Sequence, residues 1–237
     1  MRTVQAVAWK EIQIYFGSPT AYIVGLIFLA LTGFFFAQDL GVAFPEASLS
    51  NFFQGATIIL ILMAPALTMR LLAEEQKMGT IELLLTAPVR DWEVVLGKYL
   101  ASLVFLLATL LLTLYYTILL IVFASPDMGP IYAGYLGLVL YGAASLSVGI
   151  LASTLTSNQI VAAVVAMGVL LALYFVDAAS GVAGGFGSTL IDEIGIKSHF
   201  DDFERGVIDT KHIVYYVSLT TFFLFLTIRA LESRRWR

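Results

Sequence analysis

Residues 99–123 carry no charged side chain, and five other stretches, 20–37, 52–69, 131–153, 159–176 and 212–231, are apolar over similar lengths. A helix needs about 20 such residues to cross the roughly 30 Å of hydrocarbon in a bilayer. Because lipid offers backbone groups no hydrogen-bond partner, uninterrupted apolar stretches of this length can only be helices there. The expected fold is therefore all-α: a polytopic membrane protein with six transmembrane helices. Composition agrees, since 59% hydrophobic and 13% charged residues, with a mean hydropathy of +0.91, are too apolar for a soluble globular domain. The chain has no cysteine, which removes disulfide frameworks and thiolate metal sites from consideration.

The polar stretches between these runs are as informative as the runs. Residues 1–17 place Val4, Val7, Ala8, Ile12, Tyr15 and Phe16 on one arc of a helix and Thr3, Lys10 and Gln13 on the other, the pattern of a helix lying in the membrane interface. A signal peptide would need an apolar core where Lys10 and Glu11 stand. Gly17 breaks this helix, Ser18 is a ready N-cap, and Pro19 suits the first position of the next. In the first span Gly25 and Gly33 allow close approach of a neighbour, and in the fourth Ser145, Gly149 and Ser153 form a stripe of small residues suited to helix packing. Pro65 should kink the second span.

Residues 70–98 form a long charged segment flanked on both sides by membrane-length apolar runs, with Arg70, Glu74, Glu75, Lys77, Glu82, Arg90, Asp91, Glu93 and Lys98. Gly79 and Thr80 break one charged turn, and Thr80 can cap a short helix at 81–86 that holds Leu83 and Leu84 and stops before Pro88. Asp91 can cap the following helix, with Glu93 in its first turn. Adjacent leucines on a short helix in water want a partner surface. Between spans five and six, residues 177–211 begin glycine-rich and become charged, with enough apolar positions for a short amphipathic helix at the surface.

Six spans put both ends of the chain on one side. Ten basic residues (Arg2, Lys10, Arg70, Lys77, Arg90, Lys98, Arg229, Arg234, Arg235 and Arg237) fall on that side, against Lys197, Arg205 and Lys211 on the other. The positive-inside rule makes the termini and residues 70–98 cytoplasmic and residues 177–211 extracytoplasmic.

Chemistry for catalysis is sparse. No span carries an ionisable group near its middle, as ion-coupled transport usually needs. Gly97 and Lys98 do not complete a phosphate-binding loop, so nucleotide hydrolysis is not expected from this chain. His199 and His212, the only histidines, lack metal-ligand spacing and read as interfacial polar residues. No nucleophile and base come together as in an intramembrane enzyme.

Glu74-Glu75, the run Gly79-Thr80-Ile81-Glu82-Leu83-Leu84, Pro88 and Gly97-Lys98 resemble the cytoplasmic signature of ABC type-2 permeases, the membrane subunits of ATP-binding-cassette transporters. The entry helix with Ser18-Pro19, the six spans and the run HFDDFERGVIDTKHIVYY at 199–216 look most like the branch associated with gliding motility and with maturation of periplasmic copper enzymes. The resemblance implies a coupling helix at 81–86 seated in a groove of a separate ATPase subunit. Glu74, Glu75, Gly79, Thr80, Glu82, Leu83, Leu84 and Pro88 would form or shape that contact, and Thr156, Ser157 and Asn158 a second one. It implies no cofactor in this chain, ATP being held by the partner, and a second permease subunit, identical or related. Gly25, Gly33, Ser145 and Gly149 would serve dimer or helix packing. Membrane lipid and a periplasmic protein at 177–211 complete the expected partners, with no nucleic acid, and the location implied is the bacterial inner membrane. Two readings follow: a permease that moves a substrate, and a scaffold that passes ATP-driven motion to a periplasmic partner without moving one.

Overall fold

A computed structural model describes residues 2–40, 48–80, 89–180 and 193–235. The expected coupling helix at 81–86, with Glu82, Leu83, Leu84 and Pro88, lies outside the described residues, as does the glycine-rich stretch 181–187. The described residues hold helices and no strand. In chain order they are α1 (Arg2–Gly17), α2 (Pro19–Leu40), α3 (Ser50–Thr68), α4 (Ala73–Lys77), α5 (Asp91–Phe123), α6 (Met128–Leu155), α7 (Gln159–Ser180), α8 (Ser198–Glu204) and α9 (Thr210–Arg235). Six of them, α2, α3, α5, α6, α7 and α9, are long and apolar enough to cross a membrane.

The bundle is built around α3 and α6. In each, 72% of the most apolar stretch is buried, against 28% in α2, 22% in α7 and 17% in α9. The inner pair is rich in small residues and the outer helices show large apolar ones, such as Leu26, Phe34, Ile160, Val164 and Phe222, to the surroundings. That is the order expected in lipid, where helices gain by close van der Waals contact and not by hiding apolar area from their surroundings. Two of the α6 glycines are filled by large neighbours: a Cβ on Gly134 would lie 2.4 Å from Phe53, and one on Gly142 would lie 2.4 Å from Leu106.

Pro65 sits inside α3, which runs on to Thr68 before the turn that precedes α4. Proline removes one N–H, but Met69 N–H still donates to the Pro65 carbonyl at 2.8 Å and the Thr68 hydroxyl donates to Ala64 O at 2.8 Å, so this end of the helix is held. The cap of α5 is Arg90, not Asp91: the Arg90 N–H donates to the Glu93 carboxylate at 3.1 Å, and Asp91 is the first helical residue. Both acids still lie where the helix dipole favours negative charge.

The segment before α9 also differs from the surface helix expected of it. Phe200 and Phe203 on α8 are buried against α6, with the Phe203 side chain 2.9 Å from where a Cβ on Gly137 would be. Ile196 N–H donates to Leu173 O in α7, so the segment leans into the bundle. His199 and His212 are 3% and 8% exposed, and not interfacial. The His199 ring stacks on Tyr215 with centroids 3.8 Å apart, and His212 Nε2 bonds the Asp202 carboxylate at 2.7 Å. Tyr215 and Tyr216 donate to the carbonyls of Ile194 and Ile196. A seven-residue helix cannot hold itself together, and these ring and hydroxyl contacts fix it to the first turns of α9.

His199 Nδ1 lies 2.9 Å from Gly195 O, which as a carbonyl can only accept, so Nδ1 carries the proton. Burial pushes the His199 pKa down, the Gly195 bond opposing it and the neighbouring His212, Lys211 and Glu193 adding smaller effects. A base with a lowered native pKa stays neutral in the folded segment while the released segment takes up a proton below about pH 6.5, so stability falls as pH drops through that value. Backbone hydrogen exchange at 196–204 is therefore expected to lose protection between about pH 7.5 and 5.5. His199→Phe, which keeps the stack on Tyr215 and removes the titration, should flatten that loss.

Candidate functional site

The end of the bundle that carries α1 and α4 gathers most of the residues singled out by sequence. The helix α1 lies along the first turns of α5, and Gly97 makes this possible: a Cβ there would meet Val7 at 2.8 Å and the Val4 carbonyl at 3.1 Å. Next to Gly97 in the chain is Lys98, only 2% exposed. Its Nζ donates to Glu11 Oε1 of α1 at 2.7 Å and to Glu75 Oε1 of α4 at 2.8 Å. One ammonium thus ties three elements that are far apart in the chain. A buried lysine requires this, because an unpaired charge removed from water costs several kcal/mol, of the order of the whole stability margin of a domain.

A second tie joins α4 to α6. The break after α3 leaves backbone groups without helical partners, and Ser153 near the end of α6 meets them. Its hydroxyl oxygen accepts from Leu72 N–H and Ala73 N–H, both at 3.0 Å, and donates to Met69 O at 3.0 Å. The Gln76 amide donates to the carbonyls of Ser153 and Thr154 at 3.3 and 2.9 Å. A third tie joins α1 to α3: the buried Tyr15 hydroxyl donates to Leu67 O at 2.8 Å, and the Arg70 guanidinium lies 5.3 Å above the Tyr15 ring. Arg70 also donates to Ser18 and Thr20 at the start of α2.

Beside these ties opens a cleft of about 810 Å³, whose walls include Glu11, Glu74, Glu75, Met78, Thr80 and Lys98. Gly79 has φ +71, a backbone conformation that residues with a side chain rarely adopt, which explains the glycine after α4. The Thr80 hydroxyl donates back to Glu75 O at 3.3 Å. Of the paired acids, Glu74 borders the cleft and Glu75 turns inward to Lys98.

The turn at 156–158 lies next to the Ser153 tie. Thr156 Oγ1 accepts from Asn158 N–H at 3.1 Å, and Asn158 Oδ1 accepts from Ile160 N–H at 2.9 Å, capping α7. Ser157 is exposed. The packing candidates all meet residues of this same chain. A Cβ on Gly25 would touch Phe105 at an ordinary 3.7 Å, one on Gly33 would meet the Tyr116 hydroxyl at 2.8 Å, and one on Gly149 the Thr68 hydroxyl at 2.0 Å. Ser145 donates to Tyr141 O of its own helix.

Glu11, Ser153 and Gln76 were not among the sequence candidates for this face. The sequence marks Lys98 as a positive charge and as part of the signature pair Gly97-Lys98, and its neighbours Val94, Val95, Gly97 and Tyr99, a buried helix face, are the signal that it is enclosed. Among the described residues no three of His, Asp and Glu could hold a metal ion. The arrangement is suited to carrying force: a short polar helix bonded to α5 and α6, with α1 tied in through the same lysine.

The sequence model of the ABC-2 family of transporter proteins matches residues 5–228, nearly the whole chain. A search of curated proteins found no match.

Proposed function

The chain belongs to the ABC-2 family of transporter proteins and is a multi-pass membrane subunit, and from that premise we propose that it couples ATP hydrolysis by a separate ATPase subunit to movement of a substrate across a bacterial cytoplasmic membrane. Its termini and the α1–α4 face lie in the cytoplasm, by the ten-to-three division of basic residues. Two copies, or this chain and a related one, form the pathway. The run at 199–216 is the basis for placing it in the gliding-motility and copper-enzyme-maturation branch.

The observation that carries this reading is the bonding of α4 to α5 and α6, and through Lys98 of α5 to α1, at one face. The segment entering residues 81–86 is fixed to the bundle, so a push received there passes to spans two, three and four. Leu84→Asp is expected to reduce both co-purification of the ATPase subunit in mild detergent and ATPase activity of the complex at least about tenfold, since a charge at an apolar interface contact is costly. Wild-type levels of both in a folded variant would remove residues 81–86 from the interface.

The scaffold alternative shares this input and differs in output. It draws on Arg205, Val207, Ile208 and Asp209, which stand exposed beyond α8. Because α8 itself is part of the packed bundle, substitution of those four residues separates the readings better than deletion. A scaffold would lose its partner, and a permease would keep substrate-stimulated ATPase activity.

A further inference from the structure

The tie at Lys98 is unequal, and the inequality has a physical consequence. Glu11 is 8% exposed at its side chain and Glu75 is 18% exposed. One ammonium serves two carboxylates, so the group holds one negative charge in excess. That excess sits on the Glu75 side, because Glu75 Oε2 is buried and bonds nothing among the described residues. A buried anionic oxygen without a partner is unfavourable, and water in the adjoining cleft would relieve it. Moving Glu75 into the cleft leaves Lys98 and Glu11 as a charge-balanced pair. Moving Glu11 away would instead remove the ionic link between α1 and α5 and leave α4 bound.

We propose that Glu75 is the releasable arm of a latch whose fixed part is the Lys98–Glu11 pair, with Ser153 as the pivot. Docked on Lys98, Glu75 holds α4 against α1 and α5. Released into the cleft, it leaves the far end of α4 held only by the Gln76 amide on the Ser153 and Thr154 carbonyls, at 3.3 and 2.9 Å, while the near end stays on the Ser153 hydroxyl. The chain on either side allows this: α4 has five residues, a turn precedes it and the positive-φ Gly79 follows. Lys98 and Glu75 are thus positioning residues, which set where the segment leading to residues 81–86 stands. What drives the release rests on the proposed coupling to an ATPase, but the latch itself does not.

The native chain has no cysteine, so a spin-label pair at Lys10→Cys and Met78→Cys, both exposed, reports the distance from α1 to the end of α4. In the purified chain without partner or nucleotide, Glu75→Ala is expected to shift or broaden that distance distribution and leave the thermal midpoint nearly unchanged. Glu11→Gln should lower the midpoint by several degrees. In the complex, ATP should move the wild-type distribution toward that of Glu75→Ala. An unchanged distribution in Glu75→Ala overturns the latch, as does a loss of midpoint equal to that of Glu11→Gln, which would make Glu75 a static strut. A distribution that responds to Glu75→Ala but not to ATP leaves the latch standing and overturns the coupling.

Discussion

Lys98→Ala is expected to be among the most damaging single substitutions in this chain, lowering stability by about 3–5 kcal/mol, the usual result of removing one partner from a buried ion pair. The loss comes less from the bonds given up than from what is left: the Glu11 and Glu75 carboxylates, within bonding distance of one vanished ammonium and largely shielded from water. The α1 helix, held to α5 at Gly97 and Lys98, should detach first. Thermal unfolding in detergent would read the loss, and proteolysis within residues 2–17 would locate it. The triple variant Glu11→Gln, Glu75→Gln, Lys98→Met supplies the control. Removing all three charges avoids any orphan, and a neutral replacement of a buried ion group is often as stable as the original. Its midpoint should return close to wild type. A Lys98→Ala midpoint within a degree of wild type would mean that Lys98 is solvated and that α1 is held by apolar contact alone.

If the triple variant is stable, the charges are not retained for stability, and the latch gives them another use. A releasable contact must be weaker than the fold and stronger than thermal noise. An ion pair with one arm near water meets that description, whereas an apolar contact of similar size would have no polar cleft to move into.

The spans were legible because lipid leaves the backbone no choice: an apolar run of sufficient length must be a helix, whatever its neighbours. The small residues of α6 were legible as a packing stripe for the same kind of reason. What they pack against was not, since nothing in the spacing of Ser145, Gly149 and Ser153 names Thr68 or the backbone of Leu72. Ser153 shows the difference most clearly. In the sequence it is one member of a stripe, and in the fold its hydroxyl meets three backbone groups at a helix break 80 to 84 residues away. Lys98 and Glu11 are 87 residues apart, and a pairing at that separation depends on which helix lies beside which. The charge rule even drew the reading away from it, because it counts a lysine at a span end as an anchor in water. His199 and His212 were misplaced for a related reason: a mixed polar and aromatic run looks interfacial until its rings have partners, and those partners, Tyr215 at the start of a membrane span for His199 and Phe203 for His212, are chosen by the fold.

Gly149→Ala is the second substitution expected to have a large effect, although it adds a single methyl group. The new Cβ would stand 2.0 Å from Thr68 Oγ1 and 3.0 Å from Thr68 Cβ. Turning the threonine leaves its Cβ in place at 3.0 Å, still a tight contact, and takes the hydroxyl from its bond to Ala64 O. The α3 and α6 backbones must therefore separate. Overpacking of this kind costs about 1–3 kcal/mol, and here the strain falls one turn from Ser153, whose three bonds depend on the same approach. The cost should sit at the upper end of that range, and the accessibility of α4 to proteases should rise with it. Thr68→Ala in the same chain removes the hydroxyl and methyl and leaves only the Cβ contact, so the double variant should be more stable than the sum of the two single losses by about 1 kcal/mol or more. Strict additivity would show that the two residues do not touch, and with that the close approach of the two central helices, and the pivot that depends on it, would have to be given up.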